Sequence, residues 1–288
     1  MTFLRRKLLI AISLVLGLFP STGFSQRGCP RRPVSEQPQK RQLRETASGR
    51  VRVAKLILSG QTGLAPDEEA EIVRNFQGWR GPYEKRWEEE FAARLQYPWQ
   101  QRGYFKAEIH VDAQLITEDP AERIFTVTAQ IDSGRQYHLG DIAFAGGTQF
   151  PAEQARKFFT LSSGELFDIG KIHSGLDSLR RAYGTLGFIE FSSVPNVSYD
   201  EVHGLINVTI ELEEGRQFRI SHAYFFGLDQ EQAKTLLANS GLVPGAVADP
   251  EKVDDFVRKY DVDADRFIDE GNAMVCYEFS FFQRLRPD

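Results

Sequence analysis

The chain writes one phrase twice. "DSGRQYHL" (132–139) returns as "EEGRQFRI" (213–220): an acidic residue, a spacer, Gly-Arg-Gln, then an aromatic. The agreement runs past the phrase. "QIDSGRQYHLGDIAFAG" (130–146) lies over "ELEEGRQFRISHAYFFG" (211–227) without a gap, matching Ile131, Gly134, Tyr137, Phe144 and Gly146 to Leu212, Gly215, Phe218, Phe225 and Gly227. Upstream, "LQYPWQQRGYF" (95–105) lies over "LRRAYGTLGFI" (179–189), and "VAKLILSG" (53–60) resembles "LGDIAFAG" (139–146). A repeat of roughly 84 residues, starting near Val51, Gln136 and Gln217, restricts the chain to an array of one small unit.

Hydrophobic spacing orders the elements inside a unit. In the second copy, Leu139–Phe144 is a short apolar strand, and Pro151 stands where a helix starts, a position at which its missing N–H costs nothing. Ala155, Phe158 and Phe159 give that helix an apolar face. Asp168 caps a second helix with Ile172, Leu176, Leu179 and Tyr183 at helical spacing, ended by Gly187. Val197 and Tyr199 then alternate with polar residues, and after the turn "DEVHG" so do Ile206, Val208, Ile210 and Leu212. The order is strand, helix, helix, strand, strand. The first copy repeats it, with helix faces Ala70/Val73/Phe76 and Trp87/Phe91/Leu95/Trp99 and a last strand carrying Phe125, Val127, Ala129 and Ile131. Pro98 is expected to kink the second helix or end it early. Alternating strands need one covered face, so the two helices of each unit pack on one side of a three-stranded mixed sheet.

The first 50 residues belong to another regime. "MTFLRRK" followed by the apolar run Leu8–Phe19 and "PSTGFSQ" has the layout of a secretory signal peptide, with cleavage expected near Ser25. Residues 26–50 mix Pro, Gln, Arg and Ser and hold too few apolar residues to order themselves, so they are expected to form a flexible basic tether. The tether's charge suits a weak contact with anionic lipid headgroups, against the plainer reading of a solvated linker. Gln26-Arg27-Gly28 before Cys29 is a poor lipidation signal. With Cys276 the chain has two cysteines, and export permits but does not require their pairing. A net charge of −5 argues against nucleic acid as a partner.

The ordered set of motifs resembles the polypeptide-transport-associated (POTRA) domain. The residues that carry the resemblance are Gly103-Tyr104 and Gly187-Phe188 at the helix ends, the alternating strands, the acidic-Gly-X-X-aromatic turns (Asp132 to Tyr137, Glu213 to Phe218), and "GELFD" (164–168) before the second helix. That family includes the periplasmic arms of outer-membrane assembly factors of the BamA and TamA type and of two-partner-secretion transporters. The resemblance implies an α+β fold of tandem βααββ modules at 51–134 and 135–216. It implies a periplasmic place, associated with the outer membrane. The expected partners are unfolded or nascent outer-membrane polypeptides and assembly or secretion components. The implied mode is addition of a client strand to an exposed sheet edge. The expected edges are Lys106–Leu115 and Ser193–Tyr199, with Ile109, Val111, Ala113, Val197 and Tyr199 as binding residues.

The tail departs from the pattern. After Gly227 only 61 residues remain, too few for the transmembrane barrel in which family members usually continue. Residues 217–288 are expected to form a partial third module lacking its return strand, leaving Phe225, Phe279 and Phe281 in need of cover. Ala273–Phe282 is expected either to take the central place in that sheet or to await a strand from a partner or a second copy.

Other chemistry finds little footing. "DVDADRFIDEGN" (261–272) places Asp261, Asp263, Asp265 and Asp269 as a calcium loop would, but Arg266 stands where the turn needs Gly and Asn272 where a bidentate Glu is needed. An acidic helix end is the expectation there. The five histidines have no ligand-spaced neighbours, the Gly-rich turns lack a phosphate-loop fingerprint, and no Ser or Cys sits in a nucleophile elbow. Neither a cofactor nor a metal is expected, and the chain reads as a binding protein rather than an enzyme. A general periplasmic scaffold, a barrel protein cut short, and an enzyme with a site shared between modules are the alternatives.

Overall fold

Among the described residues three β-sheets follow one another, each with its own helices and its own core. The structure, a computed structural model, describes residues 49–119 and 121–281. The expected signal peptide, almost all of the expected tether, and Cys29 lie outside the described residues. Cys276 is disulfide-bonded. No helix among the described residues is long and apolar enough to cross a membrane.

The first module comprises β1 (Arg50–Gln61), α1 (Pro66–Phe76), β2 (Arg80–Pro82), α2 (Trp87–Gln100), β3 (Glu108–Glu118) and β4 (Glu122–Asp132). The second comprises β5 (His138–Gly146), α3 (Ala152–Arg156), α4 (Ile169–Thr185), β6 (Ser192–Asp200) and β7 (Leu205–Glu213). The third comprises β8 (Arg219–Phe226), α5 (Gln230–Ser240), α6 (Pro250–Tyr260), β9 (Asp263–Asp269) and β10 (Met274–Ser280). The last strand is central each time. The sheet orders are β2-β1-β4-β3, β5-β7-β6 and β8-β10-β9, with the module's first strand parallel to its last. A parallel pair needs a long crossover, which the two helices supply.

Two expectations about the sheets are corrected. The first sheet has four strands, because residues after α1 turn back as β2 and pair antiparallel with the start of β1. The third module is smaller than the others but has all five elements. Residues 263–269, expected as an acidic helix end, are β9, which pairs antiparallel with β10 over its whole length. With β10 central, Phe279 is fully buried, and Phe225 and Phe281 pack against the same core. That cluster, which includes Phe256 and Tyr260, supplies the cover the tail needed.

The helices hold to their sequence periods where a large apolar face decides the matter. Trp87, Phe91, Leu95 and Trp99 of α2 are all buried, as are Ile172, Leu176, Leu179 and Tyr183 of α4. The α2 helix runs on through Pro98 to Gln100 rather than ending early. Its next residue, Trp99, is fully buried and donates its indole N–H to the Thr62 carbonyl at 2.8 Å, anchoring the last turn. In α1 the buried residue is Ile72, with Val73 and Phe76 half-buried and Ala70 exposed, so the face is rotated from the expected one. The α3 helix is a single short piece, and Phe159 reaches the core from the turn beyond it. Side-chain caps mark three starts: Asp168 for α4, Asp229 for α5 and Asp249 for α6.

The chain also covers one side of each sheet. Val53 of β1 exchanges backbone bonds with Gly78 and Trp79 at 2.7 and 3.0 Å. Leu139 of β5 does so with Gly164 and Glu165 at 2.7 and 2.8 Å, and Ile220 of β8 with Gly245 and Ala246 at 2.7 and 2.8 Å. In every module the segment between the helices therefore closes the beginning of the first strand's free edge. The opposite edge belongs to the strand after the second helix.

Candidate functional site

Those opposite edges are β3, β6 and β9, and they differ in how the helices cover them. Residues paired directly across a ladder point to the same face. Ile109, Val111 and Ala113 of β3 lie opposite Ile131, Ala129 and Val127, on the helix side. All three are half-buried and packed against the first module's core. Val197 and Tyr199 of β6 lie opposite Val208 and Ile206, on the equivalent side. They stay 39% and 38% exposed. The five expected site residues thus fall on two edges: three are core-packing residues and two are open.

Tyr199 connects the two edges. Its ring lies 6.1 Å from that of Phe105 and 5.9 Å from that of Tyr137, and the Lys106 ammonium sits 4.1 Å from its centroid. Lys106 stands two residues before β3, so the end of β6 meets the start of β3 at the module junction. The Lys106 Nζ also pairs with the Glu201 carboxylate, which accepts a further bond from the Tyr137 hydroxyl at 2.8 Å. The Glu201 carboxyl is held below the usual carboxylate range by its hydrogen bond from Lys106 and then by that from Tyr137. Lys106 is raised chiefly by the same bond to Glu201. Burial, with the Glu201 bond, pushes the Tyr137 hydroxyl up. Sequence reasoning singled out neither Lys106 nor Glu201 for a role. Each is an ordinary charged residue beside a turn, and only the junction brings them together.

The repeated phrase forms these junctions. At the first, the Tyr137 N–H donates to the Gly103 carbonyl at 2.9 Å and the Gln136 side-chain amide to the Arg102 carbonyl at 3.1 Å. At the second, the Phe218 N–H donates to the Gly187 carbonyl at 2.8 Å and the Gln217 amide to the Leu186 carbonyl at 2.9 Å. The aromatic then inserts into the core of the module it opens: Tyr137 is 2% and Phe218 0% exposed. Gly103 and Gly187 have φ of 81° and 86°, and a Cβ there would come within 3.0 Å of the Tyr137 oxygen and 2.7 Å of the Phe218 oxygen. Acidic-X-Gly-Arg-Gln-aromatic is thus a coupling between the end of one module's second helix and the first strand of the next.

Comparison with known proteins agrees with this architecture. Residues 137–215 match the family described as "POTRA: Surface antigen variable number repeat". The crystal structure of Haemophilus influenzae BamA POTRA3-5 superposes with a TM-score of 0.60 at 17% identity, covering 81% of this chain and 96% of that one. POTRA1-3 of the periplasmic domain of Omp85 from Anabaena matches at 18% identity over 81% of this chain and 95% of that one, with a TM-score of 0.32. CdiB from Escherichia coli matches at 12% identity over 77% of this chain and 36% of its own length, with a TM-score of 0.27. The second module is a POTRA domain, and the three modules together have the fold of consecutive POTRA domains.

Proposed function

We propose that this chain, built on a POTRA domain and two modules of the same plan, binds extended polypeptide by strand addition, in outer-membrane protein assembly or secretion. One observation carries the reading. In each module the chain closes one side of its own sheet and leaves the strand after the second helix with nothing paired to its outer side among the described residues. Such an edge offers unpaired N–H and C=O groups to another chain. A client then gains main-chain bonds from the edge and specificity from alternate side chains. The similarity to BamA POTRA3-5 supports the setting. Unfolded or nascent outer-membrane polypeptides are the proposed clients, with assembly or secretion components as further partners and the periplasm as the place.

The test is binding of a urea-unfolded outer-membrane barrel protein, diluted onto the immobilised chain, against the same protein folded in detergent. The expected outcome is capture of the unfolded form alone. Equal capture of both, or of neither, overturns the reading.

A further inference from the structure

The third sheet has an outer face unlike those of the other two. We propose that this face is the seat of the chain's own basic N-terminal segment, laid across it around Cys29 and joined to it by a Cys29–Cys276 disulfide. Such a contact lies on the side of a sheet rather than at an edge, and so goes beyond strand addition.

Alternation fixes the side that Cys276 takes. Val275, Tyr277 and Phe279 of β10 are buried in the third core, so Met274, Cys276 and Glu278 point the other way, away from the helices. The matching outward residues of the other central strands are Thr126, Thr128 and Gln130 in β4 and Asn207, Thr209 and Glu211 in β7, all polar and none buried. Cys276 by contrast is 6% exposed, and it is disulfide-bonded. The sequence holds one other cysteine, Cys29.

The neighbours of Cys276 on this face are aromatic. His222 of β8 and Phe267 of β9 flank it across the ladders, and Tyr224 and Phe226 follow His222 along β8. The rings of His222 and Tyr224 stack, 5.7 Å apart with planes at 6°. Phe226 is exposed. On β9 the usual order is inverted: Ile268, on the helix side, is exposed, whereas Phe267, on the outer side, is the one half-buried residue of the strand. An apolar strip on the side of a sheet that carries no helices marks a contact surface.

Charge and reach select the occupant. Asp263, Asp265 and Asp269 of β9 and Glu278 of β10 share the outer side, with Arg219 as the cation at the far end of β8. Around Cys29 stand Arg27, Arg31 and Arg32, and no acidic residue occurs between Gln26 and Glu36. Pro30 and Pro33 take away ladder donors that a segment lying on a face does not need. Cys29 stands 21 residues before Arg50, where β1 begins, a reach of at most about 70 Å when extended. The longest helix of the intervening module, α4, has 17 residues and is about 25 Å long. The segment can therefore lie on the third module and still lead into the first. To close the bond, the two thiols give up two protons and two electrons to an oxidant disulfide, which becomes a dithiol.

The first test takes the chain as its own cells make it, alkylated at lysis and digested with trypsin without reductant. The expected product is peptide 28–31 joined to peptide 267–284, from a band of monomer size. Cys276 joined to a second copy or to a small thiol, or alkylated as a free thiol, overturns the proposal. The second test is oxidative footprinting of Tyr224 and Phe226 in the parent and in a variant carrying Cys29→Ser, Arg31→Glu and Arg32→Glu, none of which touches a core. Labelling of both rings should rise in the variant, with His138 of the second module unchanged. Labelling equal to the parent's overturns the seat even where the disulfide is found. A rise shared by His138 would mark general opening and overturns it as well.

Discussion

Phe218 hands its N–H to the Gly187 carbonyl across 2.8 Å, the same bond that Tyr137 makes to Gly103 one module earlier at 2.9 Å. The two bonds tie each module's first strand to the helix end of the module before it. Each is doubled by a glutamine, Gln217 or Gln136, reaching the adjacent carbonyl. A flexible linker would make no such repeated contacts, so the arm is expected to hold its modules at fixed angles.

Gly187→Ala should loosen the second junction. The added Cβ meets the Phe218 oxygen at 2.7 Å and imposes a positive φ on a residue with a side chain. Small-angle scattering should report a wider distribution of shapes, with the first module's unfolding unchanged. Scattering identical to that of the parent chain would show that the bond does not set the angle.

Replacing the anchors should cost more than loosening the joint. Phe218 is fully buried in the third module and Tyr137 nearly so in the second. Alanine at either position should destabilise the module it enters by about 3–5 kcal/mol, the usual cost of deleting a buried aromatic. Denaturant melts followed by exchange in separate modules would assign the loss. For Phe218→Ala the loss should appear in residues 219–280, and an equal loss in the first module would contradict the assignment.

Glu214 gives the second module an acid sensitivity. Its carboxylate accepts bonds from the Gln149 N–H at 2.8 Å and the Tyr183 hydroxyl at 2.8 Å, and from both the N–H and hydroxyl of Thr148. Burial pulls its pKa upward, but those bonds outweigh burial and bring it down to about 2. Burial and the Glu214 bond together push the Tyr183 hydroxyl up. A carboxyl lowered on folding stabilises above its unfolded value and loses that contribution as pH falls through the folded one. The window thus runs from the ordinary carboxylate pKa of about 4.3 down to about 2. Glu214→Gln should lower stability by about 2 kcal/mol at neutral pH, the scale of charged hydrogen bonds, and the gap to the parent should close toward pH 2. A gap independent of pH would assign the effect to packing.

The third module should stand without a borrowed strand. β10 lies between β8 and β9 and pairs with both. At a concentration shown to be monomeric, amide protection in residues 274–280 should be of the same order as in residues 206–212 of β7. Exchange there as fast as in β9, with protection recovered at high concentration, would mean that a second copy supplies the missing partner.

Proline at Val111 and at Val197 should behave differently. Val111 packs half-buried on the first core, whereas Val197 is 39% exposed. Val111→Pro is expected to lower the melting temperature and Val197→Pro to leave it nearly unchanged. Equal losses would mean that the ladder of β6 uses the Val197 N–H.

The sequence by itself determined the repeat, the order of elements in two modules, and the inner faces of α2 and α4. Each is written in neighbouring residues: periods of two and of 3.6, Asp168 at a helix start, glycine at a helix end. It also placed the repeated phrase at a turn, though not what the turn holds, since the Gln136–Arg102 and Gln217–Leu186 bonds join residues far apart in the chain. Only tertiary structure made Asp263–Asp269 a strand. Its acidic, non-alternating sequence has little strand preference, and pairing with β10 imposes the state, because strand propensity is mostly a record of what lies alongside. Likewise the pairing of Arg80–Pro82 with β1 and the burial of Ile72 rather than Ala70 depend on where α1 meets the sheet. The same holds for the edges. Ile109, Val111 and Ala113 alternate as Val197 and Tyr199 do, and the sequence treats them alike. The structure separates them: Ile109, Val111 and Ala113 pack half-buried on the first core while Val197 and Tyr199 stay exposed, and exposure is a property of what lies above a residue rather than of the residue itself.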